Sequence, residues 1–404
     1  SSSSKFFNFI RKNFYYFTGL EEPNSLLLLF KEPTTILGKT GTEFIFVQNR
    51  DPQREMWNGK ILGVEGVTNR YKFNNVFLNS KFTATTFNLN DYDSVLTAFR
   101  SEDIFQTYPR TRDELSRMAG VVDSLIKQYK KPIASRTTAQ ILTALRGIKQ
   151  PEEIAILEKA AAISVEGHNE VMKAVKPGMT EYQAQAIMEY SFKKNGSEYP
   201  GYPSINGAAE NACVLHYVTN LKLMKNGDLL LSDCAAEYHG YTADVTRTVP
   251  VNGKFSPEQK IIYELVLAAQ DSAIAVCKPG MPYRCSDAAA RRVINRGLIA
   301  LGIAANDMEA RRYFPHGTSH HLGLDVHDLG IRGNMPFEPG MYLTVEPGIY
   351  LPPGSTCDPK WWSIGVRIED DILITKEGNR NLSAGAPRTV AEIEKLAKAK
   401  TIFN

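Results

Sequence analysis

Apolar positions along this chain change rhythm twice. At residues 14–30, FYYFTGLEEPNSLLLLF reads as a strand, a turn and a buried strand, and Phe44 to Val47 reads as another strand. From Asp113 to Gln128 the spacing becomes helical, with Leu115, Met118, Val122 and Leu125 on one face. This mixture predicts a compact α/β domain over residues 1–146, and Lys131-Pro132 and then Arg146 to Gln150 carry the connection to a second domain, 147–404.

Helix signals open the second domain. Pro151 stands at a favoured first helical position, and Ile154, Leu157, Ala161, Val165 and His168 share one face. Thr180 with Gln183 forms a capping box for a helix that Gly196 ends, and Ser256-Pro257-Glu258-Gln259 starts a third helix that runs to about Val276. Asn252-Gly253 is a hairpin turn signal. Between the helices lie short apolar stretches that read as mostly antiparallel strands: LLLSD, YTADVTRTV, YLTVEPG and IGVRIEDDILIT. The region is predicted as α+β.

It also repeats itself. AVKPGM at 174–179 recurs as AVCKPGM at 275–281, each copy between two helical stretches. NGDLLLSD, ending at Asp233, parallels PGMYLTVE, ending at Glu346, and in both a turn glycine (Gly227, Gly340) precedes the acid by six residues. KPGM alone is a common turn; the repeated acid offset makes Asp233 and Glu346 equivalents in two half-domains. Asp244 and Glu369, each in the next strand, form a second pair, so a pseudo-twofold axis would bring four acids together.

Composition narrows the classes. A chain of 404 residues with 43% hydrophobic and 23% charged residues is that of a globular protein of more than one domain. A net charge of +3 calls for neither nucleic acid nor a membrane surface, and no apolar run approaches a membrane span. Five scattered cysteines without CxxC spacing read as reduced thiols in a cytoplasmic protein, although an exported protein without disulfides would look the same. Ser1 to Ser4 resemble a tag remnant or a processed end, and the basic, hydrophobic stretch from Lys5 to Lys12 is too short for a signal peptide.

Carboxylates at the ends of buried strands are costly unless paired or metal-bound. Asp233, Asp244, Glu346 and Glu369, converging with His320, make a site for two divalent cations. An oxygen-rich set with one nitrogen suits Mn²⁺, and less specifically Co²⁺ or Zn²⁺. Two such ions generate hydroxide at neutral pH and polarise a carbonyl, so a dinuclear metallohydrolase is expected. His316, His320 and His327 cluster in HGTSHHLGLDVHD; the first two have the i,i+4 spacing of zinc peptidases, but Gly317 stands where HExxH needs Glu. His321 and His239 read as neighbours and His168 as a helix-face residue. Gly38-Lys39-Thr40 lacks the upstream glycine of a P-loop, and neither GxSxG nor GxGxxG occurs.

At CVLHYVTN, LSDCAAEYHGYTADVTRTVPVNGKF, HGTSHHLGLDVHDLG, EPGMYLTVEPGIY and IGVRIEDDILIT, the chain resembles the metallopeptidase family of aminopeptidase P, prolidase and methionine aminopeptidase. The resemblance covers residues 13–404 and implies the pita-bread fold for the second domain. The aminopeptidase P branch is the nearer match: FYYFTGLEEP resembles the start of its N-terminal domain, and the 328–339 segment lacks the longer arginine-bearing loop of eukaryotic prolidases. Arg54-Glu55-Met56-Trp57-Asn58-Gly59 resembles a segment whose tryptophan reaches a neighbouring subunit's active site, implying a homo-oligomer, dimer or tetramer. Sequence expected before Asn13 differs from the family pattern, which leaves the first strand unassigned.

The resemblance implies Asp233, Asp244, His320, Glu346 and Glu369 as metal ligands, with Asp244 and Glu369 bridging. A bridging hydroxide would attack the carbonyl before proline, with Glu346 shuttling its proton and His327 steadying the oxyanion. His216 and His316 would shape the proline pocket, Arg367 would orient nearby groups, and Trp57 would meet the peptide. The expected activity is release of the N-terminal residue from proline-containing Xaa-Pro peptides. Two other readings are a prolidase restricted to Xaa-Pro dipeptides and a non-catalytic pita-bread module, which would have lost metal ligands.

Overall fold

The computed structural model describes residues 12–85, 88–97 and 114–403. The chain forms two compact units, Ser1–Leu142 and Thr143–Asn404. The stretch before Lys12, including the basic, hydrophobic segment, lies outside the described residues.

In the first unit, Leu26–Ile36 and Lys39–Val47 are antiparallel neighbours, and Lys39–Val47 pairs in parallel with Val76–Leu78. The tight turn between the first two uses Leu37 and Gly38, both at positive φ. The helices Pro52–Asn58 and Gly63–Tyr71 make the crossover that a parallel pair requires. Period-two alternation sends Phe44 and Phe46 to one face, against Phe77, Phe82 and Met118, and Ile45 and Val47 to the other, against Leu20, Val67 and Val76. Met118 comes from the helix Glu114–Gln128, in agreement with the helical spacing there. One expectation fails: Lys12–Thr18 is a helix, not a strand. The aromatic run is too short for periodicity to choose between the two. Gly19, at φ 65°, ends the helix by donating its N–H to Tyr15 O.

The second unit contains the repeat. Pro151–Ala174, Glu181–Lys194 and Pro257–Val276 are helices, each with the capping box at its start. One sheet runs Ile205–Ala208, Leu229–Asp233, Thr246–Pro250 and the other Tyr342–Val345, Asp370–Ile374, Asn379–Asn381, both antiparallel. The register makes the equivalence concrete: Asp233 pairs with Thr246, and Val345, one residue before Glu346, pairs with Asp370, one residue after Glu369. The turn glycines Gly227 and Gly340 share φ 91°, a left-handed conformation open to glycine at little cost. This is the pita-bread arrangement expected from the resemblance. Asn252-Gly253 is a turn, but it feeds the helix at Pro257 rather than a second strand, so it closes no hairpin.

The two halves are joined at the strand ends. Glu369 N–H donates to Thr246 O, Thr248 Oγ1 donates to Arg367 O, and Arg367 N–H donates to Thr248 Oγ1. A single apolar core lies beneath, with Leu229, Leu230 and Val249 from one half and Leu343, Val345 and Ile372 from the other. No helix among the described residues is long and apolar enough to cross a membrane.

Candidate metal centre and active site

Asp233 terminates Leu229–Asp233, and Cys234 N–H donates to Val245 O, so the chain returns with Asp244 alongside. Residues 318–322 run antiparallel to 342–346: Thr344 N–H donates to His320 O and Glu346 N–H to Thr318 O. That pairing places His320 next to Glu346. Asp244, His320 and Glu369 each present a ligand atom, all within 4.8 Å of one another. His320 Nε2 lies 3.3 Å from Asp244 Oδ2 and 3.6 Å from Glu346 Oε1. Asp233 joins through Tyr202, whose hydroxyl lies 2.6 Å from Oδ1 of both Asp233 and Asp244.

The donor set fits divalent cations. Burial, followed by the charges of Asp244, Glu346 and Asp233, holds the Glu369 carboxyl well above the usual carboxylate range. Burial raises Glu346 to about 7, with Asp244 and Asp233 adding to the rise against His320 and Arg367. Burial raises Asp244 too, helped by Asp233 and opposed by His320. Acids this crowded keep protons unless positive charge replaces them. The Tyr202 hydroxyl has one proton and two carboxyl oxygens at 2.6 Å, so it can donate to only one of them. His320 Nδ1 donates to His321 O at 3.1 Å, which leaves Nε2 as the nitrogen facing the acids, as ligation requires. Burial works against a charged His320, but the hydrogen bond to Asp244 and the Glu346 charge raise it to about 9.

Further groups hold these side chains in place. Thr246 Oγ1 donates to Glu369 Oε2 at 2.6 Å and accepts from Arg367 Nε at 3.2 Å. Arg367 Nη2 donates to Asp233 Oδ2 at 2.5 Å and its Nη1 to Tyr350 OH at 2.9 Å. His316 continues this chain, with Nε2 2.7 Å from Tyr350 OH and Nδ1 2.8 Å from Gly317 O. A carbonyl can only accept, so Nδ1 carries the proton and Nε2 accepts from the tyrosine. Burial and the Arg367 charge lower His316 to about 4, so the ring is neutral at physiological pH. The His327 ring stands edge-on to His320, centroids 4.5 Å apart at 83°, and is exposed. Partial desolvation and the neighbouring His320 and His216 charges lower its pKa. His216 is exposed on the loop after Cys213.

Three other histidines have partners outside the acid cluster. His321 stacks on Tyr283 at 5.3 Å and gives its Nε2 proton to Ile331 O. His239 pairs with Glu198. His168 is buried, and its Nε2 lies 3.0 Å from Cys234 O, a carbonyl that can only accept from it. Trp57, on the helix Pro52–Asn58 of the first unit, is 84% exposed, so it is no core residue of its own domain.

Sequence reasoning missed Tyr202, Thr246 and Asp371. Asp371 takes the Asp244 N–H on both oxygens, at 3.2 and 3.3 Å, and so fixes the backbone of an acid in the cluster. Its signal was present: Glu369-Asp370-Asp371 puts three acids into one apolar strand, and all are at most 1% exposed. Asp370 is neutralised by Arg247 at 2.7 Å and Arg388 at 3.3 Å. Tyr202, in a loop of prolines and glycines, gave no such signal.

Comparison with known proteins agrees with this geometry. Residues 155–376 match metallopeptidase family M24, and residues 2–96 match the aminopeptidase P N-terminal domain. The chain belongs to metallopeptidase family M24. It is 35% identical to the Xaa-Pro aminopeptidase of Escherichia coli, over 96% of this chain and 88% of that one. It is 32% identical to human Xaa-Pro aminopeptidase 3, over 95% of this chain and 76% of the relative. Among solved structures, the aminopeptidase PepP of Pseudomonas aeruginosa superposes with a TM-score of 0.84 at 36% identity, covering 95% of this chain and 88% of that one. A variant Escherichia coli aminopeptidase P in complex with substrate gives 0.82 at 33% identity, covering 96% and 88%. The M24 membership accounts for the acid-rich cluster: this is a metallopeptidase, and the cluster is its candidate site for divalent metal.

Proposed function

We propose that this M24 enzyme is an aminopeptidase that releases the N-terminal residue from peptides with proline in second position. The observation that carries the reading is the convergence of Asp244, His320 and Glu369, with Glu346 beside His320, in a chain similar along nearly its whole length to Xaa-Pro aminopeptidases. Asp233, Asp244, His320, Glu346 and Glu369 would hold two divalent ions, and Mn²⁺ suits the oxygen-rich set best. Ions bound there supply hydroxide at neutral pH and polarise the scissile carbonyl.

The remaining work belongs to the chain's own residues. The Glu346 carboxyl takes the proton of the attacking oxygen and carries it to the departing proline nitrogen. His327 donates to the oxyanion that develops on the substrate carbonyl. The neutral ring of His316 and the exposed ring of His216 offer flat surfaces to the proline. Arg367 keeps Asp233 and Tyr350 in place. In a homo-oligomer, the exposed Trp57 would cover the peptide at the pocket of another copy. Trp57→Ala then raises KM for tripeptides and leaves metal content unchanged. Sedimentation as a fully active monomer contradicts that placement.

The deciding assay compares Xaa-Pro dipeptides with Xaa-Pro-Xaa peptides, using metal-stripped enzyme to which Mn²⁺, Co²⁺ or Zn²⁺ is restored. The proposal expects cleavage of the longer peptides with release of the first residue. Hydrolysis confined to dipeptides would make the enzyme a prolidase.

A further inference from the structure

The last turn of the helix Ser135–Gly147 and the short link from it to Pro151–Ala174 carry two cations, Arg146 and Lys149, whose roles the reaction scheme leaves open. Arg146 Nη2 donates to Asp325 Oδ2 at 2.7 Å and to Asp328 Oδ1 at 2.5 Å. Lys149 Nζ donates to Asp328 Oδ2 at 3.1 Å and to Arg146 O at 2.6 Å. The side chains of Arg146, Lys149 and Asp328 are 3%, 1% and 2% exposed, while that of Asp325 is 42% exposed. Two cations therefore meet two anions, and three of the four are withdrawn from water.

A buried ion set of this kind adds little stability over an apolar replacement, because desolvation offsets the attraction; what it can add is a single defined geometry. The geometry it defines is that of the loop bearing His327. Asp325 and Asp328 flank that histidine, and Asp328 N–H closes the loop on His321 O. The backbone has been cleared for the contact: a Cβ on Gly323 would lie 2.1 Å from Asp328 Oδ2 and 2.9 Å from Lys149 Nζ. The cations are themselves anchored, since Lys149 N–H donates to Gly340 O, in the turn that leads into the strand before Glu346. The His327 ring is exposed and meets His320 edge-on, so its place depends largely on its loop.

We propose that Arg146, Lys149, Asp325 and Asp328 form a positioning device for the peptidase reaction, an ion cluster that holds the 321–329 loop so that the His327 imidazole meets the reacting carbonyl. This rests on the oxyanion role given to His327 above. None of the four touches substrate; each acts through His327.

The test is a double-mutant cycle in the metal-loaded enzyme on an Xaa-Pro-Xaa peptide. Lys149→Met removes one buried cation, and a displacement of about 1 Å at a reacting group can cost about 10²-fold in rate. The expected result is a kcat reduced about 10- to 100-fold, with KM within about twofold and metal content unchanged. Asp325→Asn, which removes only the half-exposed partner, should lower kcat in the same direction by less, and it keeps the test open if Lys149→Met does not fold. In a His327→Ala background, neither change should lower kcat further, because the group being positioned is gone. Normal kcat in both cluster variants, or losses that multiply with that of His327→Ala, would overturn the positioning role alone. Normal kcat in His327→Ala would overturn the reading of His327 itself, and the cluster proposal with it.

Discussion

A carboxylate withdrawn from water must be paired, hydrogen-bonded or neutralised, and Glu369, at 1% exposure, is surrounded mainly by other acids. The single-residue chemistry of the site arises from that crowding. In the metal-free protein, burial and the acid charges raise Glu346 to about 7. His320 and His316 lie on the same segment and move in opposite directions: burial, with the Arg367 charge, lowers His316 to about 4, whereas the Asp244 hydrogen bond and the Glu346 charge overcome burial and raise His320 to about 9. His327, exposed and with a lowered pKa, stands edge-on to His320 and is the oxyanion donor proposed above. His327→Ala should lower kcat and kcat/KM together, by about 10²–10³-fold, the usual loss for one oxyanion donor. Steady-state kinetics showing normal kcat with raised KM would assign it to ground-state binding instead.

At the scale of elements, the strand Ile364–Arg367 is closely packed against backbone. A Cβ on Gly365 would fall 2.4 Å from Ala212 O, a backbone atom that cannot swing away. Gly365→Ala should therefore displace the strand that delivers Arg367, cost about 1–3 kcal/mol as overpacking does, and lower Tm. Unchanged Tm in a thermal melt would show that the strand has room to spare. Elements are legible where their signals are long or redundant. The capping boxes at Thr180 and Ser256 and the paired glycine-to-acid offsets each state one thing twice. Lys12–Thr18 defies its sequence pattern because a run of aromatics suits a helix turn as well as a strand, and packing on Leu20, Val47 and Val67 decides the matter. Asn252-Gly253 specifies a turn but not the type of the next element, here a helix. Tyr202 and the Lys149–Asp328 pair are beyond the reach of sequence because their partners lie 31 to 179 residues away and only the fold brings them together.

For the whole molecule, the acid cluster should make metal a condition of stability, with a defined pH dependence. His320 keeps its proton to about 9 in the folded metal-free protein and to about 6.5 when unfolded. Between those values the native state holds the extra proton, so stability falls as pH rises, by about 1.4 kcal/mol per unit for a full proton. The raised carboxyl of Glu369 acts in the same direction. His168, His316 and His321, lowered to about 4, change their contribution only below about 6.5 and leave this window undisturbed. Melting of metal-stripped protein from pH 6.5 to 9 should therefore show a declining Tm that added Mn²⁺ restores. A flat profile, identical with and without metal, would mean that the acids do not repel one another. The central claim is that five residues from two related half-domains hold the metal on which peptide cleavage depends. Its most direct test is a Mn²⁺ titration of stripped enzyme, reading bound metal and Xaa-Pro-Xaa hydrolysis together, beside the variant Asp244→Ala. Activity should appear with bound metal, saturate at about two ions per chain, and be absent from the variant, which should hold neither ion tightly. Full hydrolysis by the stripped enzyme, or two tightly held ions in Asp244→Ala, would contradict the account.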